Sequence, residues 1–200
     1  MRHSPKGVTI HPDFDALVSA TAGRLITKLI DVQSRRGEAT VVLTGGSAGV
    51  AVLASVAAAP ARTAVDWKRV NFWWGDERFV APDSPDRNAL AAQKAFLLPL
   101  GADQDRVHEV PSTAEAATVE EAAEIYAAEL ELAAQSEVLA DGFTEADPRL
   151  PRFDVLLLGV GPDAHVASLF PEMAGIRTTG QTTVAVRNSP KPPPERVSLT

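Results

Sequence analysis

Two residues set two apart, Asp163 and His165, follow the glycine-rich turn Gly159-Val160-Gly161-Pro162 and are the chain's first candidates for proton-transfer chemistry. An imidazole has an ordinary pKa of about 6.5, so it can take a proton from water near neutral pH, and a neighbouring carboxylate can orient it. The preceding run, residues 153–158 (FDVLLL), is almost wholly apolar, as in a parallel strand covered on both faces. Residues 166–170 are apolar enough to open a helix. The pair would then sit at the carboxyl end of a strand, where open α/β sheets bind ligands. The same two residues would also serve as a helix N-cap and a solvated first-turn side chain.

A second group of residues suits an anion. Strand-like residues 39–43 end in Thr44-Gly45-Gly46-Ser47-Ala48-Gly49, and an alanine-rich helix follows to Pro60. Strand, glycine turn and helix aim free backbone N–H groups and a helix dipole at a ligand, here through Gly45, Gly46 and Ser47. The spacing is neither G-x-G-x-x-G nor a Walker loop, which favours the phosphate of a small molecule over a nucleotide. Asp76 and Arg78 lie just past a third strand, residues 69–74. Arg78 can clamp a phosphate or carboxylate, with Asp76 orienting it or a sugar hydroxyl, or the two form a surface ion pair. A proline-dense segment, residues 188–196 (NSPKPPPER), carries Lys191 and Arg196 as two more cations.

The elements that must position these groups can be read in order. Residues 8–11 look like a first strand. Phe14, Val18, Ala22, Leu25 and Leu29 recur at helical spacing between an Asp13 cap and a Gly37 stop. Asn88 reads as the cap of a helix to residue 98, and residues 106–110 as a strand with His108 on it. Ser112 and Glu115 form a capping-box signature for a helix to about residue 135, with Val119, Ala122, Tyr126, Leu130 and Ala133 as its apolar stripe. Residues 181–186 and 197–200 read as strands. His3 and His11 read as surface or structural residues. Together these predict one α/β domain over residues 1–200: a Rossmann-like, mainly parallel sheet with helices on both faces, a three-layer sandwich.

Composition excludes several classes. With 45% hydrophobic and 22% charged residues the chain has ordinary globular values. A net charge of −7 argues against nucleic acid as a partner, and the absence of cysteine removes disulfide and thiolate chemistry. No apolar run reaches membrane-spanning length, so no membrane partner and a cytoplasmic location are expected. No H-E-x-x-H or similar spacing is present, so no metal is expected.

In this order, Gly45-Gly46-Ser47, Trp74-Gly75-Asp76-Glu77-Arg78, Leu158-Gly159-Val160-Gly161-Pro162-Asp163-Ala164-His165, Ala167-Ser168-Leu169-Phe170-Pro171 and the residue 188–196 segment resemble the 6-phosphogluconolactonases of the glucosamine-6-phosphate isomerase/6-phosphogluconolactonase family. The resemblance runs from Val8 to the chain's end. Glucosamine-6-phosphate deaminases share the glycine loop but carry Asn-Glu-Pro after the histidine, where this chain has Ser168-Leu169-Phe170-Pro171. The resemblance implies cofactor-free hydrolysis of 6-phospho-D-glucono-1,5-lactone, with His165 as base, Asp163 beside it, and the phosphate on Gly45, Gly46, Ser47, Arg78, Lys191 and Arg196. Alternatives are a sugar-phosphate-binding module with little catalysis, or a deaminase-like isomerase. A phosphosugar lactone is the expected partner, and the chain is expected to work as a monomer or weak homodimer. Members usually continue past the final strand, so the resemblance implies that a C-terminal portion of the family fold is lacking. Members usually carry glycine where this chain has Ala164; if that position needs positive φ, alanine costs on the order of 1 kcal/mol.

Overall fold

The computed structural model describes residues 7–142 and 147–200; the reading of His3 as a surface residue falls outside them. Helix α1 (Phe14–Arg36) starts where the Asp13 carboxylate accepts the Ala16 N–H and stops at left-handed Gly37. Val18, Ala22, Leu25 and Leu29 turn inward as the spacing predicts, while Phe14 at the first turn stays exposed. Strand β1 (Ala39–Leu43) is buried throughout and runs into helix α2 (Gly46–Ala58). Strand β2 (Val70–Trp74) pairs with β1 in parallel, Ala39 beside Val70 and Leu43 beside Trp74. On the other side of β1 lies a short parallel strand, β4 (Val155–Leu156).

A second sheet is antiparallel. Strand β3 (Asp76–Arg78) pairs with β6 (Arg196–Leu199), and β6 with β5 (Thr183–Val186), in the order β3-β6-β5. The two sheets meet at Gly75, whose N–H donates to Leu43 O at 3.0 Å and whose carbonyl accepts from Leu199 N at 2.9 Å. The fold is therefore mixed α/β, with one three-stranded parallel sheet and one three-stranded antiparallel sheet among the described residues. The expected predominance of parallel pairing does not hold. Asp76-Glu77-Arg78, expected just past the end of a strand, is itself a short strand because β6 comes alongside to pair with it.

Helix α3 (Asn88–Ala92) continues through a π-helical turn (Gln93–Leu97) into α4 (Leu98–Leu100). Helix α5 (Val119–Asp141) is long and capped by Thr118. Tyr126 of α5 packs on Trp73, while Phe96 meets Phe72 edge-on. The Tyr126 hydroxyl donates to Trp74 O and accepts from Trp74 N, and burial pushes its ionisation well above the usual phenol range. No helix among the described residues is long and apolar enough to cross a membrane.

Several element readings need correction. Residues 8–11 are irregular, Val8 and Ile10 both 89% exposed, and no strand among the described residues pairs with them. Residues 106–110 form only a bridge, Val107 to Phe72; His108 instead stacks on Trp73 at 4.0 Å with Nδ1 2.7 Å from Glu129. The Ser112–Glu115 box forms, Ser112 N and Oγ both bonding Glu115, but it closes a turn, and α5 begins only at Val119. The β4 run is paired over few residues, and Leu156 and Leu158 stand half exposed rather than covered on both faces.

Candidate active site

The glycine turn after β4 opens no helix. Residues 160–170 fold into two successive tight turns, with Val160 bridged to Val166 and Val166 to Leu169. The N-cap reading of Asp163 is thereby overturned: no helix is there to cap. Gly161 N donates to His165 O and Ala164 N to Gly161 O, both at 2.9 Å, which brings the imidazole over Gly161. A Cβ at Gly161 would stand 2.1 Å from His165 Cε1 and 2.2 Å from Nδ1, so the position has room only for glycine.

Three non-glycine residues around His165 adopt left-handed backbone: Ala164 (φ 65), Ala167 (φ 52) and Glu172 (φ 67). Such conformations cost about 1–2 kcal/mol each and collect at functional sites. The strain expected at Ala164 is thus present. Replacing Ala164 with glycine is expected to stabilise the fold by about 1 kcal/mol, raising the thermal midpoint by about 2–4 °C. An unchanged or lower midpoint in a melting experiment would remove strain from the account.

His165 is held from two directions. Its Nδ1 lies 2.7 Å from Asp163 Oδ1, and Lys191 Nζ reaches the same oxygen at 2.8 Å and Nδ1 at 3.3 Å. Hydrogen bonding to Lys191 and then to His165 depresses the Asp163 carboxyl to about 2. Phe170 stacks on the imidazole at 4.7 Å. With Nδ1 engaged by a carboxylate, Nε2 is the ring nitrogen left to act as a base.

His165 lines a cavity of about 450 Å³ together with Gly45, Gly46, Ser47, Asp76, Arg78, Lys191 and Arg196. Every sequence-derived candidate thus lies on one cavity except Asp163, which meets it through the bond to His165. Helix α2 has Gly45 at its N-cap and no side-chain cap bond, so its first N–H groups are available to a ligand. Gly45 is tight against Asn88, where a Cβ would fall 1.8 Å from Oδ1.

The cations divide their work. Arg78 donates through Nη1 to Asp86 O at 2.7 Å, while its Nε has no partner among the described residues. Arg196 is 3% exposed, and its Nε and Nη2 donate to the carbonyls of Pro193, Lys191 and Pro192. It therefore ties the proline loop down with most of its donors. Burial first, then the nearby Arg78 charge, lowers its pKa from the ordinary guanidinium value. Lys191 sits on the His165–Asp163 pair, not apart from it as a free cation.

Sequence reasoning passed over two residues, Glu77 and Ser168. Glu77, fully buried, accepts backbone N–H bonds from Arg78 at 2.7 Å, Asn88 at 2.8 Å and Ala89 at 2.7 Å. It caps α3 from across the fold, whereas Asn88, read as that cap, is the first helical residue and donates to Asp76 O. Ser168, 1% exposed, donates to Asp76 Oδ2 at 2.7 Å. Glu77 and Ser168 both stand inside runs already singled out, but nothing in the sequence tells their burial from that of their neighbours. Among the described residues no group of three or more His, Cys, Asp or Glu side chains could hold a metal.

Residues 12–200 match the family model described as glucosamine-6-phosphate isomerases/6-phosphogluconolactonase. The chain is 49% identical over 195 residues to a 6-phosphogluconolactonase of Streptomyces coelicolor, covering 96% of this chain and 72% of the relative. It is 38% identical over 193 residues to the Mycobacterium tuberculosis 6-phosphogluconolactonase, covering 96% and 74%. The crystal structure of 6-phosphogluconolactonase from Thermotoga maritima superposes with a TM-score of 0.70 at 26% identity, covering 92% of this chain and 72% of that one. The chain belongs to the glucosamine-6-phosphate isomerase/6-phosphogluconolactonase family.

Proposed function

We propose that the chain hydrolyses 6-phospho-D-glucono-1,5-lactone to 6-phosphogluconate, the activity that its 49%-identical relative's name denotes. The observation that carries this reading is His165, paired with Asp163, on the wall of a cavity whose other lining includes the α2 N-terminus, Arg78 and Lys191. A lactone is an activated ester and needs no covalent intermediate. His165 Nε2 takes a proton from water as the water oxygen bonds to the carbonyl carbon. The tetrahedral oxyanion then collapses, the bond from that carbon to the ring oxygen breaks, and the imidazolium returns its proton to the ring oxygen. Asp163 holds the ring by Nδ1 and balances the imidazolium charge.

The phosphate lies on the N–H groups of Gly45, Gly46 and Ser47 with Arg78 as its cation, and Asp76 faces a sugar hydroxyl. Arg196 supports the site mainly by fixing the proline loop, and Lys191 by bracing Asp163. We read the architecture as a single three-layer α/β domain, supported by the packing of Tyr126 and Phe96 on successive residues of β2, Trp73 and Phe72. The net charge of −7 and lack of cysteine suit a cytoplasmic protein acting on a small phosphosugar, as a monomer or weak homodimer, without nucleic acid.

The test is hydrolysis of freshly prepared lactone by this polypeptide, with the spontaneous rate subtracted. Acceleration that saturates with lactone is the expected result. Binding of 6-phosphogluconate without acceleration would replace the enzyme by a phosphosugar-binding protein.

A further inference from the structure

The segment carrying His165 is strained, yet it has to hold an imidazole in one place. Left-handed Ala164 and Ala167 flank the histidine, so the turns persist only if something outside them fixes their shape. The buried tie is Ser168. Its hydroxyl donates to Asp76 Oδ2 on β3 at 2.7 Å, and its N–H donates to Ser198 Oγ on β6 at 3.3 Å. Arg196 Nη1 approaches the same hydroxyl at 3.5 Å. Ser168, Asp76, Ser198 and Arg196 are all buried, the two serines almost completely. Two residues on, Phe170 stacks against His165, and the Arg196 guanidinium carbon lies 5.7 Å from the centroid of the Phe170 ring.

We propose that Ser168 is the positioning residue of the site: its bond to Asp76 latches the His165 turn onto the antiparallel sheet and thereby aims the base at the cavity. The kinetic part of this inference rests on the hydrolase reading above; the structural part does not. A hydrogen bond to a buried carboxylate is among the stronger kinds, and deleting its donor leaves Asp76 short of a partner. The left-handed turns then relax, and the imidazole drifts. A misplacement of about 1 Å is enough to cost on the order of 100-fold in rate.

In Ser168→Ala, kcat is expected to fall by about 10- to 100-fold while KM moves by less than about threefold, because the phosphate cradle of α2 and Arg78 is untouched. The second readout is independent of turnover. The Phe170 ring at 4.7 Å shifts the His165 ring-proton NMR resonances, and in Ser168→Ala these should move toward their unstacked positions. Ser198→Ala cuts the other tie and should give the same signature more weakly, which covers the case where Ser168→Ala does not fold. Unmoved resonances with kcat within about twofold of wild type would overturn the latch, as would a raised KM at unchanged kcat, which would make Ser168 a binding group. Failure of wild type to hydrolyse the lactone would sink the function reading, and the NMR shifts would still decide the latch.

Discussion

Replacing His165 with alanine should lower kcat for lactone hydrolysis by about 100- to 10,000-fold, the span typical of losing a positioned general base. KM should change little, since the groups proposed to hold the phosphate belong to α2 and β3. The fold should survive, because the imidazole's neighbours are the half-exposed Asp163 and Lys191 and the ring of Phe170. Steady-state kinetics with a matched circular dichroism spectrum checks this. Loss below about tenfold would assign the base to another group. The role of Asp163 can be separated by pH. Its carboxyl is held at about 2, chiefly by Lys191 and then His165, so it is an anion across the whole range from pH 5 to 8. Any acid limb in that range therefore belongs to a different group. The sign for stability follows from a depressed carboxyl: whatever the Asp163 clamp contributes is complete above the ordinary carboxylate range and disappears as pH falls through about 2. Asp163→Asn should weaken kcat, through a misoriented ring, and should remove that low-pH dependence.

The second large effect is expected at Glu77, which does not line the cavity. Its two oxygens accept three backbone N–H bonds, and Arg87, itself 2% exposed, lies 3.8 Å away. Burial pushes the carboxyl above its usual range, and Arg87 and the three amides oppose that shift. In Glu77→Gln an amide NH₂ must face at least one backbone N–H, and Arg87 loses its buried anion. Breaking one side of such a buried arrangement costs about 3–5 kcal/mol, against a total stability of about 5–15. A drop of roughly 10 °C or more in thermal midpoint is expected. Because Glu77 sets the backbone of both Arg78 and Asn88, residual folded enzyme should also show a raised KM. A midpoint within about 2 °C of wild type would show that the cap is dispensable.

Much of the fold could be read from local pattern. Asp13 and Gly37 bound α1, the apolar run of residues 39–43 is β1, and the inward stripe of α5 runs through Val119, Ala122, Tyr126 and Leu130. These are cases where periodicity, a cap and a glycine stop act over neighbouring residues. The readings that failed depend on distant partners. Residues 8–11 have strand-forming side chains but no edge to pair with, and Asp76-Glu77-Arg78 looks like a surface loop until β6 comes alongside.

The site divides the same way. By itself the sequence determined the residue types and their order: a glycine-bounded strand end presenting Asp163 and His165, a glycine loop opening α2, and cations at Arg78, Lys191 and Arg196. Only the tertiary structure decided which partners each has, because burial and hydrogen-bond geometry are set by contacts between residues far apart in the chain. It put Lys191 on Asp163, 28 positions away, and turned most of Arg196 toward the proline loop. It joined Ser168 to Asp76 across 92 positions, a separation over which no local pattern carries information.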